Sequence, residues 1–211
     1  MTSRTMTIAL LGCLIFSTTS VYALQVTAGW VNADVGLQER GDGFYVGVQD
    51  SWPLGTGPFD ITVAGEYIQK KGSQMRFYSD PHSGLTEGEA KLNLHCFQPA
   101  AFLGYGVPLT NLKPRFYTGL SVVLNLEESW DEPQGETDGE YSYENMDFQI
   151  HLGFSLEISR FLVDARYSSG LMEQLIDGTS NAVLPNKAEE PDLPENGSKI
   201  SSFQVGIGYT F

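Results

Sequence analysis

Nine ionisable side chains stand at alternate positions of segments whose other row is apolar: Glu66, Lys91, His95, Arg115, Asp147, His151, Glu157, Asp164 and Arg166. If the rows that carry them face a common interior, they share one low-dielectric lumen. A charge there is costly unless it is paired, so Glu66 and Asp164 are expected to meet Arg115 or Arg166. Two chemistries fit such a set. One is a structural charge network of Glu66, Arg115, His151, Asp164 and Arg166 that plugs the interior. The other is a proton path or small-ligand site made from the same groups.

A hydrolytic site would need a nucleophile facing a base. His95 and His151 both fall on the polar rows, and the apolar rows hold no Ser–His–acid set. His82 lies in a loop segment beside Asp80 and Ser83, where a lone histidine is solvated. The residues therefore predict no catalytic group and no cofactor, and the chain reads as a non-enzyme.

The elements that must position these groups are strands. Residues 200–211 read ISSFQVGIGYTF, with Phe203, Val205, Ile207, Tyr209 and Phe211 alternating with Ser202, Gln204, Gly206, Gly208 and Thr210. Successive strand side chains point to opposite faces, so one face is greasy and the other small and polar. A water-facing row would be charged and long-chained. This polar row instead suits a crowded lumen, and the aromatic end of the apolar row suits a membrane interface. The strand is inside-out.

Similar rows recur along the chain. Strands are expected at 24–34, 44–53, 59–70, 91–105, 115–126, 146–156, 161–171 and 200–211, with a long polar loop at 71–89. Pro99 cannot donate to a ladder, so a bulge or irregular pairing is expected near it. Short connections at 54–58, 107–113 and 159–160 alternate with long ones. An all-β, eight-stranded antiparallel up-and-down transmembrane barrel follows, with both termini on the short-turn, periplasmic side. Its interior is filled by side chains, so it is not a pore.

Residues 1–23 read as a signal peptide: Arg4 is the sole charge, Ile8 to Phe16 is apolar, and Val21-Tyr22-Ala23 offers a cleavage site. A competing lipid-attachment reading of Leu10-Leu11-Gly12-Cys13 would leave half the apolar run in the mature chain. The barrel domain is then 24–211. Cleavage after Ala23 removes Arg4 and no acid, so the formal charge of −14 becomes −15 and Cys96 is left as the sole cysteine. A lone exported cysteine makes no internal disulfide. This negative charge excludes nucleic acid as a partner class.

Acids crowd two loops. Glu127, Glu128, Asp131, Glu132, Glu136, Asp138, Glu140 and Glu144 lie in one; Glu173, Asp177, Glu189, Glu190, Asp192 and Glu195 lie in the other. Carboxylates suit Ca²⁺ or Mg²⁺, but the spacing of a dedicated calcium loop is missing, and no metal site is assigned. A solvated, self-repelling loop is the simpler reading. Trp130, Tyr141 and Tyr143 offer a surface for a protein partner.

Several segments also resemble the PorT-like outer-membrane β-barrel domains, across essentially the whole mature chain. Gly65-Glu66-Tyr67-Ile68-Gln69-Lys70-Lys71-Gly72 is similar to that family's third-strand motif. Pro99 lies where the family has a fourth-strand proline, and Asp164-Ala165-Arg166-Tyr167-Ser168-Ser169-Gly170-Leu171 resembles its "D-x-R-Y-x-x-G-L" strand. Gly206 to Phe211 resembles its ending, whereas Val26 to Asn32 departs from the family's opening strand. The resemblance implies an outer-membrane barrel and little about activity, some members assisting protein secretion. Tyr209 and Phe211 match the terminal aromatic signal read by the barrel-insertion machinery. The expected partners are outer-membrane lipid and lipopolysaccharide, that machinery, and a protein at the surface loops. The expected role is a structural or partner-binding outer-membrane protein. The alternative is a lipid-modifying enzyme of the lipid A deacylase or acyltransferase type.

Overall fold

The computed structural model describes residues 24–37, 39–80, 84–110, 112–131, 145–172 and 199–211. The expected signal peptide, most of the acidic segment 127–145 and nearly all of 172–199 lie outside them.

Eight strands form: β1 (Gln25–Asp34), β2 (Glu39–Pro53), β3 (Phe59–Asp80), β4 (Gly84–Gly106), β5 (Leu112–Asp131), β6 (Met146–Ile158), β7 (Phe161–Gly170) and β8 (Ser201–Thr210). Each pairs antiparallel with its sequence neighbour, and β8 returns to β1 to close the barrel. Closure leaves the wall no unpaired edge, the one arrangement by which strands cross a bilayer.

Alternation decides the two faces. On β6, Met146, Phe148, Ile150, Leu152 and Phe154 are exposed, while Asp147, Gln149, His151 and Ser155 are buried. On β8, Phe203, Val205 and Ile207 are 44%, 38% and 70% exposed, and Ser202 and Gln204 are buried. A soluble barrel would require the reverse. Aromatic side chains mark both rims of the outward apolar belt. Trp30, Phe44 and Tyr67 lie toward the loop end. At the other end Phe59 packs on Tyr105 at 5.3 Å, Phe116 on Phe154 at 5.0 Å and Phe161 on Tyr209 at 5.5 Å. On β5 the belt runs from Phe116 to Leu124. At ~3.4 Å per residue and a tilt of ~40° that is roughly 20 Å of membrane thickness.

One expectation is corrected. The polar loop expected at 71–89 is mostly strand: β3 and β4 stay in register from Phe59↔Tyr105 to Asp80↔Gly84. Charge on the outward row, at Lys71, Glu89 and Lys91, weakens the apolar alternation there. The irregular pairing expected near Pro99 is present on its β5 side, where the ladder passes from Phe97↔Leu124 to Ala100↔Ser121 with no pair at Gln98 or Pro99. On its β3 side Pro99 pairs with Gly65 in unbroken register, and a register shift lies where His95↔Glu127 gives way to Cys96↔Asn125. Leu126 is the extra residue. Leu124 faces outward before it and Glu127 faces outward after it, so the bulge reverses the parity of the strand.

Candidate functional site

The lumen is built from the inward rows and is layered along the barrel axis. At the short-turn end Arg115 Nε donates to Asp60 Oδ2 at 3.1 Å, while its Nη2 donates to Asp60 Oδ1 at 2.5 Å and to Thr62 Oγ1 at 2.8 Å. The Arg115 guanidinium also lies 5.1 Å from the centre of the Tyr117 ring. In the next layer the Tyr117 hydroxyl donates to Asp164 Oδ1 at 2.7 Å.

Above it Arg166, 2% exposed, donates from Nη2 to Glu66 Oε1 at 2.8 Å and Oε2 at 2.6 Å, and from Nε to Gln204 Oε1 at 2.9 Å. Its guanidinium stacks 5.2 Å from the Phe102 ring centre and 5.9 Å from that of Tyr45. Arginine suits this place because its rigid planar fork can pair a carboxylate and lie on aromatic faces together.

A polar layer follows. His151 Nδ1 pairs with Ser168 Oγ and Nε2 with Ser121 Oγ, both at 2.7 Å, and Gln98 Nε2 lies 3.3 Å from Nε2. Toward the loops the lumen turns apolar. Val31, Ala33, Val35, Ile68, Leu92, Leu94, Cys96, Val123 and Ile200 cluster there, joined by Leu37 and Trp130. Trp130 reaches this plug because the bulge at Leu126 turns it inward.

The structure thus places Glu66, Arg115, His151, Asp164 and Arg166 in one lumen, with pairings that differ in part from expectation. Glu66 takes Arg166, Arg115 takes Asp60, and Asp164 is held by the phenol of Tyr117. Lys91 and His95 are not in the lumen. They share the outward row of β4 with Phe97 and Leu103, because the inward row of that strand is Ala90, Leu92, Leu94, Cys96 and Gln98. Glu157 sits at the rim, 4.0 Å from Lys113. Tyr209 and Phe211 pack edge to face at 5.2 Å at the short-turn rim, where Phe211 N donates to Leu24 O.

Sequence reasoning missed Asp60 as the partner of Arg115, and it missed Lys70 entirely. Lys70 is 1% exposed. Period-two counting from Asp60 through Glu66 lands on it, so the signal was present. It was obscured by Lys71 beside it, which suggested a solvated exit from the strand.

On the outer surface, near the loop-side aromatic rim, the Tyr67 hydroxyl hydrogen-bonds His95 Nδ1. Glu127 faces His95 across the β4–β5 ladder. Among the described residues no three or more His, Cys, Asp or Glu side chains come together as a metal-holding group.

Residues 25–175 match the family described as an outer membrane protein beta-barrel domain. The chain belongs to that family. It is similar to the outer membrane enzyme PagL at 16% identity and a TM-score of 0.48, covering 88% of this chain and 98% of that one. It is also similar to Neisserial surface protein A, at 13% identity and a TM-score of 0.48, covering 91% and 98%. A third is Ail, the attachment invasion locus protein of Yersinia pestis, solved with the heparin analogue sucrose octasulfate. There the identity is 11% and the TM-score 0.42, covering 90% and 97%. No curated protein sequence matches the chain.

Proposed function

We propose that this outer-membrane barrel is a non-enzymatic, non-conducting protein that acts through its loop-side end as a structural or partner-binding element. A protein-secretion accessory of the PorT-like kind is the narrower form. The observation that carries the reading is the pairing of a filled lumen with a projecting ribbon. Paired ionic layers and an apolar plug leave the interior to side chains. Meanwhile β3 and β4 remain paired up to Asp80↔Gly84. The outward row turns polar at Gln69 and Asn93, which bond each other at 2.8 Å, so roughly ten residues of each strand extend past the membrane belt. A paired ribbon projecting at the loop end is a platform for a protein. In this reading the termini are periplasmic and the ribbon faces outward from the cell.

The test is affinity purification of the tagged chain from gently solubilised outer membranes, with mass spectrometry of co-eluting proteins. A near-stoichiometric partner lost on deletion of residues 77–87 or 132–144 supports the docking role. A barrel that elutes alone and opens ion channels in planar bilayers overturns it.

A second reading, a lipid-modifying enzyme, is favoured by the outward Tyr67–His95 pair facing Glu127 at the level of lipid headgroups. Its test is the lipid A mass profile of cells overproducing the protein, compared with a His95→Ala variant. Identical profiles in producing and non-producing cells would remove it.

A further inference from the structure

Beside the Glu66–Arg166 pair, toward the loops, lies a layer in which five side chains each carry a buried polar atom without a hydrogen-bond partner. Lys70 projects from β3, and its Nζ has no hydrogen-bond partner. Asp147 Oδ1, Gln149 Oε1, Ser202 Oγ and Gln204 Nε2 are likewise without one. All five side chains are at most 3% exposed. The last four belong to one wall, since Gln149 stands opposite Gly170, and Ser202 and Gln204 stand opposite Ser168 and Arg166. Lys70 faces that wall from across the barrel, within electrostatic reach of Asp147 and Cys96.

Gly170 lets the Asp147 carboxylate lie against the backbone of that wall. A Cβ on Gly170 would sit 2.8 Å from Asp147 Oδ2 and 3.0 Å from Ile200 O. Ser168 and Ser202 pair beside it. Cys96, Leu94 and Leu92, which stand opposite Ile68, Lys70 and Gly72, line the layer along β4.

A buried ammonium and a buried carboxylate oxygen are each unstable without hydrogen bonds. The inventory is complementary, with three donors on Lys70, acceptors on Asp147 and Gln149, and a hydroxyl that serves as both. What joins such groups across a gap must be small and must both donate and accept. We propose that this layer is an interior water site, where a small cluster of ordered water joins Lys70 Nζ to Asp147 Oδ1, Gln149 Oε1 and Ser202 Oγ. Its polar lining supplies the several partners that a buried water requires. Buried apolar side chains line the rest of it, so its water exchanges slowly with bulk. This site is independent of any partner at the loop end.

The experiment is hydroxyl-radical footprinting of the full chain folded in detergent micelles, after rapid mixing into H₂¹⁸O. Trapped water should leave ¹⁶O on Leu94 and Cys96, which are buried against it, while Leu54 and Leu109, exposed in the short turns, take up ¹⁸O. Leu94 and Cys96 unlabelled above background would overturn the proposal, as would ¹⁸O there at the shortest mixing times. A Lys70→Met, Asp147→Leu double variant should lose at least half of the ¹⁶O label. Should that variant not fold, a high-resolution crystal structure of the unaltered chain decides. Water between Lys70 and Asp147 supports the site, and a direct Nζ–Oδ1 contact within ~3.2 Å with no water beside it overturns it.

Discussion

Arg166 on β7 holds both carboxylate oxygens of Glu66 on β3, one hundred positions earlier in the chain and on the facing wall of the barrel. Two strands that never pair are thus tied through the lumen. Both side chains are nearly inaccessible, at 2% and 3% exposed, so neither charge has water to fall back on.

Removing one partner should therefore cost far more than removing both. Arg166→Ala leaves Glu66 buried and uncompensated, a loss of about 3–5 kcal/mol. Glu66→Leu combined with Arg166→Met keeps volume and removes both charges, and should come within ~1–2 kcal/mol of the unaltered barrel. Urea unfolding in micelles, followed by the mobility difference between boiled and unboiled samples, measures each. Equal stability of Arg166→Ala and the unaltered chain would mean that this pair does not hold the walls together.

The outward row makes a separate prediction about the solvent. Leu152 lies near the middle of the apolar belt on β6 and is 68% exposed. Arginine there should destabilise the barrel in lipid vesicles by about 2–4 kcal/mol, the cost of a cation at bilayer midplane depth. The same substitution on a water-exposed surface would change stability by only ~0.5 kcal/mol or less. Unfolding of Leu152→Arg indistinguishable from the parent would count against a membrane-facing wall.

Cys96 reports on the plug. It is 1% exposed, among Leu92, Leu94 and Ile68, and its Sγ lies 3.2 Å from Asn125 Oδ1. In the folded barrel it should resist a maleimide reagent for hours, and it should react within minutes once the sample is boiled in detergent. Rapid labelling of the native protein from the loop side would show that the apolar layer opens. Leu94→Ala, which thins the plug, should raise the native labelling rate at least severalfold.

These residues also show which parts of the molecule could be read in the sequence. On β6 and β8 the outward rows are apolar and the inward rows small or polar, so face, strand and fold class were all legible there. β4 was misread for a physical reason. Near the loops its lumen row is Leu92, Leu94 and Cys96, and its outer row is Lys91, Asn93 and His95. The polarity of the two faces inverts where the strand leaves the hydrocarbon and the lumen becomes a plug. Period-two reasoning fixes which residues share a face but not which face is wet. The pairing of Arg115 with Asp60 was hidden differently, since it depends on strand stagger around the barrel, which no local pattern reports. The bulge at Leu126 left no Gly or Pro to announce it.

Tyr45 gives the last test, because its ring occupies space that two glycines leave open. Gly29 pairs with Tyr45 on β2 and with Gly206 on β8, so the three stand side by side on the lumen wall. A Cβ at Gly206 would run into the Tyr45 hydroxyl, and one at Gly29 into the ring edge and the backbone of β8. Gly206→Val should therefore overpack the lumen and cost about 1–3 kcal/mol, with slower folding into micelles. Tyr45→Ala on its own opens a cavity and should cost about 3–5 kcal/mol, near the loss for other large buried aromatics. If the ring and the missing side chain share one volume, the two changes compensate. Gly206→Val with Tyr45→Ala should then be more stable than the sum of the single losses by at least ~1 kcal/mol. Strict additivity in urea unfolding would show that the glycine is required by the close approach of β1 to β8, and not by the tyrosine.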